Sequence, residues 1–95
     1  MDFYAYMLRC ADGTYYTGHT DDLDHRMAQH HTGELGGYAA KRKPVVLVWS
    51  ETFPTREEAI AAELQIKGWS RAKKEALIAG DWERISLLAR NRQDR

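Results

Sequence analysis

A second cysteine is missing from this chain, so Cys10 has no partner for an internal disulfide, and a reducing cytoplasm is the expected compartment. Free cysteine is among the residues most often buried, which makes Cys10 a packing residue rather than a nucleophile. No apolar run approaches the roughly 20 residues of a membrane span, and nothing resembles a signal peptide. No membrane partner is expected. Also missing are a nucleophile-elbow pattern, a Cys/His cluster with zinc spacing, and a glycine loop opening a helix to cradle phosphates. These absences remove Ser/His/Asp catalysis, a structural zinc and a bound nucleotide or other small-molecule cofactor. There is no repeat, linker or low-complexity segment.

What is present is ordinary globular composition, with 43% hydrophobic and 29% charged residues in 95, enough for one domain over 1–95 with a single modest core. Net charge is zero, which at first sight argues against a polyanionic partner. The distribution says more. Through Ala40 two basic residues, Arg9 and Arg26, face six acidic ones, a net −4, so the remainder carries +4. Its basic residues cluster at Lys41-Arg42-Lys43, at Arg71, Lys73 and Lys74, and in the Arg90/Arg92/Arg95 tail. Such a polarised protein either binds nucleic acid through one face or carries a solvated charged surface.

Tyr4-Ala5-Tyr6-Met7-Leu8 and Tyr15-Tyr16-Thr17-Gly18 flank Ala11-Asp12-Gly13 and read as a β-hairpin. A three-residue loop with Gly13 in the left-handed region pairs Cys10 with Thr14. Strand parity then sets Leu8 opposite Tyr16 and puts Tyr6 and Tyr16 on one face. A two-residue Asp12-Gly13 turn would put the tyrosines on opposite faces, and the first register is preferred. Gly18 marks a turn or a close backbone approach. Thr20 or Asp21 caps a helix to about Thr32, stopped by Gly33, with Leu23, Met27 and His30 in one stripe and Arg26 at its edge. Glu34 to Lys43 reads as a loop. Val45 to Trp49 lacks alternation, as a strand buried on both faces or covered by helices would. Thr55-x-x-Glu58 is a capping box for a helix toward Gly68. Ser70 caps another helix ending at Gly80, and Asp81 caps a last one with Trp82, Ile85 and Leu88 inward. The order ββαβααα, with a small three-stranded antiparallel sheet, is α+β.

Several residues along these elements bear chemistry, and each has a plainer use. Tyr6 and Tyr16 suit strands for their shape alone. Arg26 can pair with Asp22 one turn earlier, and His30 can be a boundary histidine bonded to a carbonyl. Glu63 falls inside the inward arc of its helix, where a carboxylate is costly unless paired or bound to a cation. Its plain partner is Lys67 at i,i+4. Together these groups match phosphodiester hydrolysis, which needs a deprotonated water or hydroxyl, an arginine fork on phosphate, and a carboxylate-held hard cation.

The chain resembles the GIY-YIG nuclease superfamily, and in particular its small single-domain bacterial YhbQ-like branch, over about Phe3 to Asp81. The likeness rests on Tyr6 to Cys10, Asp12-Gly13, Tyr16-Thr17-Gly18 and Asp22-Leu23-x-x-Arg26 with His30. It continues in Lys43-Pro44-Val45, Glu63-x-x-Ile66-Lys67 and Ser70-Arg71-x-Lys73. The resemblance implies a core over about 3–81 and a C-terminal helix with basic tail over 82–95. It implies Tyr6, Tyr16, Arg26, His30 and Glu63 as catalytic residues, with Glu63 as ligand to Mg2+ or Mn2+. The implied reaction is divalent-metal-dependent cleavage of DNA in repair or recombination, a motif tyrosine acting as or assisting the general base. The first motif reads Tyr4-Ala5-Tyr6 rather than Gly-Ile-Tyr. The late asparagine of many active members has no counterpart, and Gly80-Asp81 stands where it would be sought.

Three readings follow. The leading one is a metal-dependent endonuclease whose DNA contacts come from Lys41, Arg42, Lys43, Arg71, Lys73 and Lys74. The second is a nucleic-acid-binding module of the same fold without turnover, and the third a protein-interaction domain. The first expects Glu63 to approach Tyr6, Tyr16 and Arg26, whereas a purely structural Glu63 lies against Lys67. Salt-dependent DNA affinity separates the third reading from the others. The sequence leaves open DNA against RNA, the preferred nucleic-acid structure and the oligomeric state.

Overall fold

A computed structural model describes residues 1–91. The Arg90/Arg92/Arg95 tail lies outside the side chains described. In chain order the elements are β1 (Phe3–Arg9), β2 (Tyr15–Thr20), α1 (Leu23–Thr32), α2 (Gly37–Ala40), β3 (Val46–Phe53), α3 (Arg56–Lys67), α4 (Arg71–Ala79) and α5 (Trp82–Asn91). The sheet is antiparallel throughout, in the order β2-β1-β3. The expected α+β arrangement is present with one addition, the single turn α2 inside the glycine-rich stretch that composition marked as loop.

The hairpin adopts the three-residue register. Cys10 N–H donates to Thr14 O at 2.8 Å and Gly13 N–H to Cys10 O at 2.9 Å, with Gly13 at φ +85°. The Asp12 carboxylate accepts from the Thr14 backbone N–H at 3.0 Å and from its hydroxyl at 2.6 Å, bracing the loop. Leu8 stands opposite Tyr16 and Tyr6 opposite Gly18. Period-two alternation then sorts the side chains. Tyr6, Leu8 and Cys10 join Ala39 and Val45 in one cluster, with Tyr16, Leu23 and Met27 against it. Met7 joins Ile66, Ala76, Leu77 and Ile85 on the other face. The α1–α2 segment covers the first face and α3 to α5 the second.

β1 is central, and Ala5, Tyr6, Met7 and Leu8 are wholly buried. The expectation that Val45 to Trp49 is buried on both faces is corrected. β3 is an edge strand with Val46 51% and Leu47 37% exposed, because sheet position rather than local composition decides how many faces are covered. Trp82, expected inward on the last helix, is 61% exposed, while Ile85 is buried.

The helix ends follow their capping chemistry, each cap contributing about 1 kcal/mol. Asp22 accepts from His25 N–H at 3.1 Å, Thr55 from Glu58 N–H at 3.2 Å and Ser70 from Lys73 N–H at 3.2 Å. The first cap is thus Asp22 rather than Thr20 or Asp21. Its consequence is geometric: starting α1 at Leu23 sets the angle at which Arg26 and His30 face the sheet.

Candidate active site

Tyr6 and His30 meet although 24 residues separate them. The Tyr6 hydroxyl lies 2.8 Å from His30 Nε2. Their ring centroids are 5.7 Å apart, and Tyr16 completes a triangle at 6.4 Å from Tyr6 and 5.4 Å from His30. The plain alternative for His30, a backbone carbonyl partner, is therefore replaced by a phenol. Gly18 makes room for the arrangement. A Cβ added there would sit 2.7 Å from Tyr6 Oη and 2.8 Å from Cζ, closer than the buried ring can tolerate. Gly18→Ala should therefore push the ring off His30 at an overpacking cost of about 1–3 kcal/mol. A thermal melt and the Tyr6 ring resonances of the variant check this; an unshifted melt with unchanged ring signals would contradict it.

Burial, helped by Tyr16 and opposed by the Arg26 guanidinium, pushes the Tyr6 phenol up to about 12. Burial, then the charges of Arg26 and His31, holds His30 below its ordinary 6.5. His30 is accordingly neutral at neutral pH, with Nε2 free to accept the phenol proton. The sign of the linkage is definite. The unfolded chain takes up the His30 proton at higher pH than the folded one does, so the His30 contribution is complete above pH 6.5 and shrinks as pH falls through the folded value. Melting temperature should fall between pH 7 and pH 5, and His30→Gln should flatten that slope.

Arg26 is half-buried beside this pair. Its Nε donates to Gln29 Oε1 at 3.2 Å and Nη1 to the His19 carbonyl at 3.4 Å. The anticipated ion pair with Asp22 does not form, since that carboxylate caps the helix. Among the described residues no carboxylate pairs with Arg26.

Glu63 arrives from α3 on the opposite sheet face, with its side chain 12% exposed. Oε1 lies 2.5 Å from His19 Nδ1, and Oε2 lies 2.6 Å from the Lys67 ammonium. Burial pushes its carboxyl up, but Lys67 and His19 together outweigh this and hold it below the ordinary 4.5, so it is ionised. The carboxylate makes no hydrogen bond to Tyr6, Tyr16 or Arg26 among the described residues, and it lies against Lys67 as the structural alternative requires. Its connection to Arg26 runs through His19, whose ring holds Glu63 while its carbonyl receives the guanidinium. The sequence reading missed His19. The available signal was parity, because one residue past Gly18 must face away from the tyrosines, toward whatever covers the second sheet face.

The basic clusters divide. Arg42 pairs with Asp12 at 3.0 Å, donates to the Tyr38 carbonyl at 3.0 Å and lies 3.7 Å over the Tyr38 ring. Arg71 donates to Gly13 O at 2.7 Å, pairs with Glu75 at 3.1 Å and covers Tyr15. Two arginines thus clamp the hairpin tip from opposite sides. Lys73 is corrected as a surface cation: it is buried, its ammonium 4.4 Å from the Trp69 ring centroid. Lys74 is half-buried, and burial lowers its ammonium from the ordinary 10.5. Lys41 and Lys43 are exposed and enter no ion pair among the described residues. Asp81, at the position of the sought asparagine, caps α5 by accepting from Arg84 N–H at 3.0 Å.

Among the described residues no three or more His, Cys, Asp and Glu side chains gather to cage a metal. A single ionised carboxylate nevertheless fits a hard cation, since Mg2+ takes one or two carboxylates and fills its shell with water and phosphate oxygens.

Comparison with known proteins identifies relatives of this chain. Residues 2–76 match the model of the GIY-YIG catalytic domain. A UPF0213 protein of Natronomonas pharaonis is 46% identical over 80 residues, covering 84% of this chain and 94% of that one. Another, of Halalkalibacterium halodurans, is 40% identical over 92 residues, covering 94% and 98%. The solution NMR structure of a UPF0213 protein from Bacillus halodurans superposes with a TM-score of 0.55 at 43% identity, covering 83% of this chain and 84% of that one. The solution NMR structure of a protein from E. faecalis superposes with a TM-score of 0.59 at 36% identity, covering 84% and 85%. With the family model spanning residues 2–76 and relatives matched over most of both chains, this chain belongs to the GIY-YIG nuclease family, among its UPF0213 members.

Proposed function

We propose that the protein is a divalent-metal-dependent endonuclease that hydrolyses phosphodiester bonds in DNA, in a repair or recombination setting. The observation that carries this reading is Arg26, a half-buried guanidinium with no carboxylate partner among the described residues, beside a phenol hydrogen-bonded to a neutral imidazole. A planar fork without an acidic partner is suited to bidentate binding of phosphate. A phenol at about 12 is a poor base alone. As its own proton passes to His30 Nε2, the Tyr6 oxygen takes one from an attacking water, the water oxygen bonds to phosphorus, and the P–O bond to the leaving nucleotide breaks with the leaving oxygen protonated from solvent. The Tyr16 ring, 6.4 Å from Tyr6 and 5.4 Å from His30, stands beside the pair and restricts where that water sits. Glu63 is the residue that would hold Mg2+ or Mn2+, and a bound cation supplies charge neutralisation at the leaving oxygen. Lys41 and Lys43, exposed and in no ion pair among the described residues, would track the DNA backbone, with Arg42, Arg71 and Lys74 contributing from the clamped hairpin tip and α4.

The test is nicking of supercoiled plasmid. Cleavage should require added magnesium or manganese, stop on chelation and weaken as salt rises. Salt-sensitive DNA binding without nicking in either metal would leave a binding module of the same fold. A lack of both would return the basic clusters to solvated surface.

A further inference from the structure

The two oxygens of Glu63 are held in different ways. Oε1 meets the His19 ring at 2.5 Å, a contact spanning 44 residues of sequence. His19 belongs to β2 and pairs with Ala5 of the central strand, while its carbonyl receives Arg26. Its backbone is therefore placed by the sheet, and its side chain is 33% exposed. Oε2 meets the Lys67 ammonium at 2.6 Å, from one turn further along the same helix, on a side chain 49% exposed. That partner hangs on a flexible four-carbon stem with water on one side. An i,i+4 ion pair whose ammonium is half exposed is weaker than a fully buried one, and water can replace that ammonium.

A carboxylate with one oxygen rigidly bonded and the other covered by a loosely held monovalent cation is arranged for substitution at the second oxygen. A divalent ion there gains about twice the Coulomb attraction of an ammonium at equal distance. Partners behind a metal-binding carboxylate also orient it, and losing one commonly costs about 10–100-fold in metal affinity. We propose that Glu63 is a cation-exchange site in which His19 fixes Oε1 as a positioning residue and Lys67 covers Oε2 as a placeholder that the incoming divalent ion displaces. This rests on the nuclease reading and adds to it two residues that act through Glu63 without touching substrate.

The test uses Mn2+ alone, added to the 15N-labelled full chain without DNA, with paramagnetic broadening of amide signals as the readout and a thermal melt of each variant as the folding control. In the parent protein, broadening should centre on Glu63 and His19 and be absent in Glu63→Gln. Lys67→Met should bind Mn2+ about two- to fivefold more tightly, since it removes the competing cation. His19→Ala should bind about tenfold more weakly or worse. His19→Asn, whose side-chain N–H can stand where Nδ1 stands, should recover most of that loss. A merely structural Lys67 would instead lower the melting temperature and leave Mn2+ affinity unchanged, and that result overturns the exchange. Parent-like affinity in His19→Ala overturns the positioning role. If parent and Glu63→Gln broaden alike, the metal site of the nuclease reading itself fails, and the exchange fails with it.

Discussion

Glu63→Gln is expected to reduce plasmid nicking in magnesium by about 10³-fold or more, with only a small change in thermal stability. A cation stabilising charge at the leaving oxygen is worth several kcal/mol, and each 1.4 kcal/mol or so is a factor of ten in rate. The amide keeps the length of the side chain and a carbonyl oxygen to face Lys67 or His19, so packing on α3 is retained. Removing the charge leaves the Lys67 ammonium without its ion pair, but that group is 49% exposed, and water replaces most of what is lost. A purely structural Glu63 makes the opposite demand, a lowered melting temperature with cleavage intact. Acid has a related effect on the parent protein. Because folded Glu63 titrates below 4.5, its contribution is complete above that pH and is lost as pH falls through the folded value. The Glu63 and His30 effects therefore separate along the pH axis.

Arg26→Lys is expected to lose about 10²-fold in cleavage while folding normally. Lysine keeps the charge, and its stem can lie along the edge of the α1 stripe. A point ammonium, however, cannot present two parallel N–H groups to a phosphate. Removing one well-placed donor to developing charge costs about 10²–10³-fold in comparable sites. The substitution also removes the guanidinium contact with the His19 carbonyl, so the amide signals of β2 should be compared between the two proteins. Full activity in the lysine variant, at unchanged folding, would reduce Arg26 to a residue that braces the edge strand.

The hairpin and the helix ends were legible because their physics is local. Gly13 supplies the positive φ of the loop, Ala11-Asp12-Gly13 sets the loop length, and parity then dictates that Tyr6, Leu8 and Tyr16 share a face. Thr55, Ser70 and Asp81 stand where a hydroxyl or carboxylate satisfies free N–H groups at a helix start, and Gly33 and Gly80 take the left-handed φ that ends one. The 100° spacing of Leu23, Met27 and His30 likewise places His30 on the buried side of α1, and that of Glu63 between Ala59 and Ile60 places it inward on α3.

Which strand lies in the middle depended on tertiary structure. Val45 to Trp49 is the more apolar run, yet Tyr4 to Leu8 became the central strand, because pairing with both β2 and β3 is a long-range outcome that no run of residues encodes alone. The same limit applies to partners. A helical wheel shows that Glu63 points inward, but the identity of the group it meets depends on how α3 crosses β2, and that crossing brings His19 to it. Lys73 looked like one more surface cation until α4 packed and placed its ammonium over Trp69. The chain by itself determined its turns, caps and the faces of its elements through backbone sterics and hydrogen-bond satisfaction within a few residues. Only the packed structure decided that Tyr6 bonds His30, that Arg26 has no acidic partner among the described residues and that His19 stands between Arg26 and Glu63. Those contacts span up to 44 residues of sequence, and their geometry is set by how the helices dock on the sheet.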